Sequence, residues 1–298
     1  MLKFNKILIF ICILYFSKRI ICNEDEDNLL EEELDNYNFI KKIKNAIIDF
    51  LIPFSVTQQS YFSVLLINST TIPIFLLLFF YKFTQSENEY LSSFSAGCIV
   101  GDVFLHNIPE IFKSEPEERE KQKIGALIAF GVIVFFIIDK LIGILMNYSN
   151  ENKLKIQKII LIMLGDIFHN YNDALAITSS YLINIRIGVI ITLFNFFHEF
   201  PHKLGDFSLL IKQEVNLKTI MIMQIFIFSG SILGVYTALT LKQEYAHQIL
   251  SFSSGGFLYI SINTIFSDIK ESTTLSNVFF TFIAYMVGIY FLFLHTPF

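Results

Sequence analysis

Long apolar runs recur along the chain, separated by short polar breaks. They fall near residues 60–82, 90–112, 124–147, 156–181, 185–212, 218–241, 246–269 and 274–295. Each run reaches about 20 residues, enough for a helix to cross roughly 30 Å of hydrocarbon. The pattern predicts an all-α, polytopic membrane protein with eight transmembrane helices in residues 60–298. The breaks are too short to hold a soluble catalytic domain. Ahead of the first run, Lys3 and Lys6 precede a short apolar stretch from Ile7 to Phe16. That arrangement reads as a signal peptide over residues 1–22, with an uncleaved anchor as the alternative. Residues 23–59 would then be extracytoplasmic. They hold eight acidic side chains between Glu24 and Asp35, read as a solvated segment. Ile40, Ile43, Ile47, Phe50 and Phe54 follow at helical spacing beside Lys41, Lys42 and Lys44. This predicts an amphipathic helix at the membrane surface.

Composition agrees with a membrane protein and narrows the partners. Hydrophobic residues make up 53% and charged residues only 16%, and mean hydropathy is +0.56. An ordinary soluble domain is about 25% charged. The net charge of −5 and the lack of a basic domain argue against nucleic acid as a partner. Cys12 and Cys22 lie in the leader and Cys98 in an apolar run. No disulfide framework or thiolate metal site is therefore expected, and Cys98 reads as core. Loop charges are nearly balanced. Lys82, Lys153, Lys155, Lys158, Lys212, Lys218 and Lys270 fall on one side, and Lys113, Arg119, Lys121, Lys123, Arg186 and Lys242 on the other. The leader therefore sets the orientation, placing the first group in the cytosol. The sequon at Asn147-Tyr148-Ser149 would also be cytosolic and unused.

Ionisable groups inside a span are costly and mark functional sites, and here they cluster. In the fourth run His169 and Asp173 stand four apart, and Asn170 and Asp173 three apart. All three should share one helix face. Asp166, three residues before His169, could accept the second imidazole N–H and fix the tautomer. In the fifth run His198, His202 and Asp206 make an i, i+4, i+8 stripe with Glu199 beside it. Pro201 lies within the stripe. It has no N–H and should free the Phe197 carbonyl and bend the helix. In the second run Asp102, His106 and Glu110 repeat the four-residue spacing, with Pro109 between the last two. Thr264–Ile269, which includes Asp268, can be laid over His106–Ile111. That match suggests an internal repeat between the first and last three runs. Imidazole, carboxylate and amide suit Zn²⁺ and Fe²⁺, allow Mn²⁺ and disfavour Cu⁺. Asp139 and Lys140 are neighbours that share no face and read as structural. His247 and His295, near span ends, read as interfacial.

These residues resemble a known family. His169–Ile177 is similar to the HNFxDGLAIGA motif of the ZIP zinc–iron permeases. His198–Phe207 is similar to the HExPHELGDF motif of their LIV-1 branch. Weaker likeness surrounds Gly101–Glu110, Phe135–Lys140 and Gly255–Asp268. The resemblance implies eight spans with both ends outside and transport of a divalent metal toward the cytosol. It also implies a homodimer and elevator-like movement. Carried over by position, His169, Asn170, Asp173, His198, Glu199 and His202 would be metal ligands. Asp102, His106, Glu110, Asp166, Asp206 and Asp268 would line the pathway or support the ligands. Zn²⁺ would be cargo rather than cofactor, with Fe²⁺ as the alternative cargo. The plasma membrane is the expected location, with a secretory-pathway organelle as the alternative.

Four positions depart from the family pattern. Lys203 replaces the Glu that ends HExPHE, and either pairs with Glu199 or weakens a second metal site. Thr264 stands where an acidic residue is usual, Asp268 stands where Glu is usual, and Ala174 replaces Gly. Two other functions compete with transport. His198-Glu-Phe-Pro-His202 satisfies HExxH, the zinc motif of metalloproteases in which Glu acts as general base, so an intramembrane protease is one alternative. Pro201 inside the motif, and a fourth-run cluster left without a task, argue against it. A metal-sensing scaffold is the other alternative.

Overall fold

A computed structural model describes residues 42, 44–80, 84–112, 117–145, 150–240, 243–271 and 274–295. The leader, the acidic segment and the sequon lie outside the described residues. The described residues are helical and contain no strand. A short helical stretch over 44–51 comes first. It is followed by α1 (Val56–Asn68), α2 (Thr71–Phe80) and α3 (Gln85–Gly101). A π-helical turn, Asp102–Asn107, runs from α3 into α4 (Ile108–Phe112). The remaining helices are α5 (Glu118–Leu145), α6 (Asn150–Ile183), α7 (Ile185–Lys212), α8 (Leu217–Thr240), α9 (Gln243–Glu271) and α10 (Leu275–His295).

Five lengths are long and apolar enough to cross a membrane: Val56–Phe80, Glu118–Leu145, Leu217–Thr240, His247–Phe266 and Leu275–Phe293. They expose large apolar side chains outward, among them Phe79, Leu145, Ile225 and Phe279. Water would not tolerate this array, whereas hydrocarbon would. Several polar residues of α6, α7 and the turn that follows α3 point inward instead. Asp102, His169 and Glu199 are all buried.

Local sequence sets the helix ends. Ser55 caps α1 and Thr84 caps α3, each in a capping box closed by Gln58 or Glu87. Asn184 alone separates α6 from α7. It is extended (φ −163°), and its side chain accepts the Arg186 N–H. The two helices therefore form a tight antiparallel hairpin.

α6 packs against α8, α3 against α10, and α5 against α9, while α7 lies between α3 and α6. The α3–α10 and α5–α9 contacts are the pair that the suspected repeat would exchange. Small residues permit these approaches. A methyl at Gly131 of α5 would stand 2.0 Å from the Phe252 carbonyl oxygen of α9, and one at Gly255 would stand 2.0 Å from the Ile128 oxygen. The stretch over 44–51 buries Ile48 and Leu51 against Val64, Ile67 and Ala174. Phe50 of the expected membrane-facing stripe is exposed, and its ring meets those of Phe54 and Phe62. Cys98 is buried core, as expected. Asp139 receives the Tyr259 hydroxyl at 2.8 Å and the Lys140 ammonium at 3.3 Å, a structural junction of α5 and α9.

Candidate metal site

The hairpin register brings the polar motifs together. Counting outward from Asn184, His169 is fifteen residues before and Glu199 fifteen after; Asp166 and His202 stand eighteen away on either side. A one-residue turn places such symmetric positions opposite one another. Accordingly, His169 Nε2 lies 3.1 Å from Glu199 Oε2. Asp173, one turn along α6, brings Oδ2 to 3.6 Å from the same nitrogen. Donor atoms of His169, Asp173 and Glu199 all fall within 4.8 Å of one another. Four ligands held about 2.0–2.1 Å from a tetrahedral zinc ion stand about 3.4 Å apart. The two separations from His169 Nε2 bracket that edge.

A second set lies one layer along the hairpin. Donor atoms of Asp166, His202 and Asp206 also converge within 4.8 Å. His202 Nδ1 lies 3.0 Å from Asp206 Oδ2, so the i, i+4 part of the stripe forms as the spacing predicts. The two sets touch through their rings: His169 and His202 stack with centroids 4.2 Å apart and 9° between planes. The family resemblance puts His202 in one ligand set with His169, whereas its donor atom here converges with those of Asp166 and Asp206. Between the sets sits Lys203, fully buried. Its ammonium lies 3.3 Å from Glu199 Oε1 and 3.8 Å from Asp166 Oδ2.

Other expected residues take different stations. Asp166 was expected to orient His169. It turns toward α7 instead, and the carboxylate near His169 Nδ1 is Asp102, at 3.9 Å. Asp102 is the first residue of the π-turn. The wider winding aligns residues five apart, and Asn107 donates to Asp102 Oδ2 at 3.1 Å. The four-residue face expected for Asp102, His106 and Glu110 is therefore split. His106 is half-buried, and its ring faces Phe194 of α7 at 5.6 Å. Glu110 is also half-buried, in α4. Asn170 is buried and hydrogen-bonded away from both sets. Its amide donates to the Asp166 carbonyl at 3.0 Å, and its oxygen accepts from Ser231 at 3.2 Å. Asn68 in turn donates to Ser231. His198 and Asp268 belong to α7 and α9, and their side chains lie outside the described residues. α7 runs as continuous helix through Pro201.

Sequence reasoning missed Phe257, whose ring meets His169 edge-on at 5.9 Å, and Ser231, which fixes Asn170. Their only sequence signal was an aromatic or a hydroxyl inside an apolar run. A cavity is lined by Asp166, His202, Asp206 and Phe257. It shares Ile162, Leu209 and Ile260 with a second cavity lined by Lys158, Lys212, Gln213 and Thr264. Thr264 therefore lies toward that end of the bundle, beyond the donor sets.

The comparisons with known proteins fit this arrangement. Residues 147–296 match the family model described as ZIP Zinc transporter. The chain is 27% identical over 197 residues to the zinc transporter ZIP13 of Pongo abelii, covering 61% of this chain and 59% of that one. It is 25% identical over 301 residues to an uncharacterized zinc transporter of Schizosaccharomyces pombe, covering 74% and 66%. It is also 25% identical over 215 residues to the zinc transporter YKE4 of Saccharomyces cerevisiae, covering 61% of each. The chain thus spans about 59 to 66% of the length of these relatives. The matched segment takes in α6 through α10, and with them every residue of the two donor sets. On this ground the chain belongs to the ZIP zinc transporter family.

Proposed function

We propose that this chain is a carrier that moves Zn²⁺ across a membrane into the cytosol, with Fe²⁺ as a second cargo. One observation carries the reading. A buried imidazole lies 3.1 and 3.6 Å from two buried carboxylates on two joined helices, near the ligand spacing around a tetrahedral ion, and all three donor atoms fall within 4.8 Å of one another. All eight helical units, the α1–α2 and α3–α4 pairs counted as one each, cross the bilayer. The ion sheds water and binds His169, Asp173 and Glu199. It then passes to Asp166, His202 and Asp206, which border the adjoining cavities. Those cavities lead to the end that carries Lys158 and Lys212, the side that the orientation argument makes cytosolic. His198, one residue before Glu199, supplies a further imidazole to the pathway. Asn170 holds α6 against α8 through Ser231, and so sets the direction of His169. Alternating access follows when helices around the hairpin shift and open the site to the other face. The protein acts as a homodimer in the plasma membrane.

The test is uptake of Zn²⁺, Fe²⁺ and Mn²⁺ into vesicles or cells that contain the wild type, His169→Ala or His202→Ala. Saturable Zn²⁺ uptake is expected, and each variant should lower it at least tenfold. Wild-type uptake by His169→Ala would refute the site.

A further inference from the structure

The buried lysine between the two donor sets has no part in the transport cycle described so far. An ammonium in an apolar bundle is costly, and it persists where carboxylates compensate it. Lys203 has two such partners. Glu199, at 3.3 Å, is a donor of the first set, and Asp166, at 3.8 Å, is a donor of the second. The two oxygens of Glu199 are divided: Oε2 faces His169 and Oε1 faces the ammonium. A carboxylate that bridges two metal ions divides its oxygens in the same way, one to each ion. Here the second position is filled by a cation fixed to α7.

We infer that Lys203 is a tethered stand-in for a second metal ion, restricting the two donor sets to one divalent cation between them. The inference rests on the transport-site reading above. An ion in the first set engages Glu199 and leaves the ammonium to Asp166, which withdraws a donor from the second set. An ion in the second set engages Asp166 and leaves the ammonium to Glu199. The cargo therefore advances as a single ion, and Lys203 compensates the carboxylate it leaves behind. Lys203 touches no cargo in this scheme; it acts by setting which carboxylate is available.

The experiment is zinc stoichiometry on the full chain, purified in detergent, by equilibrium dialysis with metal analysis. The wild type should bind one Zn²⁺ per chain and Lys203→Met two. Lys203→Arg, which keeps the charge, should return the value to one. Two ions on the wild type, or one on a folded Lys203→Met, would overturn the proposal. Should Lys203→Met fail to fold, X-ray absorption of the zinc-loaded wild type decides. Two-metal sites hold their ions about 3.5–4 Å apart, and that metal–metal scattering should be missing here; its presence would refute the single-ion reading. The double variant His169→Ala/His202→Ala, which removes the imidazole of each donor set, separates the two hypotheses. Unaltered binding in that variant removes the sites themselves. Lost binding in that variant, together with one ion on Lys203→Met, removes only the role of the lysine.

Discussion

Adding one methyl group at Gly205 tests whether α3 and α7 meet as described. Gly205 lies between His202 and Asp206 in sequence and faces Ser95 of α3. A Cβ built at Gly205 would stand 2.0 Å from Ser95 Cβ and 2.3 Å from its Oγ. Carbon atoms in contact prefer about 3.5–4.0 Å. Rotating the serine side chain moves Oγ but leaves Cβ in place, so the helices themselves must separate by about 1.5 Å. Overpacking of this kind costs about 1–3 kcal/mol. Alanine in place of glycine returns about 1 kcal/mol of helix propensity. The net loss expected for Gly205→Ala is therefore about 0–2 kcal/mol. Transport should suffer more than stability, because the displaced segment carries His202 and Asp206. A fall in Zn²⁺ uptake of about tenfold or more is expected, since misplacement by about 1 Å at a working site can cost 10²-fold. The assay pairs vesicle uptake with thermal unfolding in detergent. Ser95→Gly removes the two nearest atoms, and the next, Ser95 Cα, stands 3.1 Å from the new methyl. The double variant Ser95→Gly/Gly205→Ala should therefore recover most of the uptake. Such recovery is non-additive, as contact between the two sites requires. Wild-type uptake by the single variant, or no recovery in the double, would refute the helix contact.

Three further outcomes follow from the site and its supports. Protonated imidazole has no lone pair for a metal, and histidine ordinarily titrates near about 6.5. Zn²⁺ uptake should thus fall as pH is lowered from 7.5 to 5.5, and a flat profile would count against imidazole ligation. Glu199→Gln keeps the shape of the side chain but removes the charge that faces both His169 and Lys203. It should cut uptake by tenfold or more without any peptide cleavage by either form, whereas wild-type cleavage of a transmembrane peptide would favour the protease alternative. Tyr259→Phe deletes the hydroxyl that donates to Asp139. It should lower thermal stability by about 1–2 kcal/mol with little change in uptake per folded molecule, and a large transport defect would assign that junction a functional role.

The amino-acid sequence disclosed most of the site and less of its wiring. Spacing along one helix named His169, Asp173, His202 and Asp206 correctly as sharing faces, because an α-helix repeats within its own chain. It did not reveal which neighbour each face meets. Asp166 was read as the partner of His169, yet it looks across to Lys203 and His202 on α7. The division into two donor sets follows from the hairpin register, which depends on the connection at Asn184. Spacing failed outright where the helix changes its winding. Across the π-turn at Asp102–Asn107, Asp102 lies near His169 while His106 lies against Phe194, and residues written four apart gave no sign of it. Lys203 was visible as a departure from the family motif. Only three-dimensional placement shows that it joins a carboxylate from each set.

The one-residue corner at Asn184 has a consequence for how this gene can vary. An added or deleted residue between Asp173 and Glu199 would turn one rod by about 100° against the other, scattering every donor at once. Between those two positions the length of the chain is what natural variation must preserve, while the outward-facing side chains can drift among greasy equivalents.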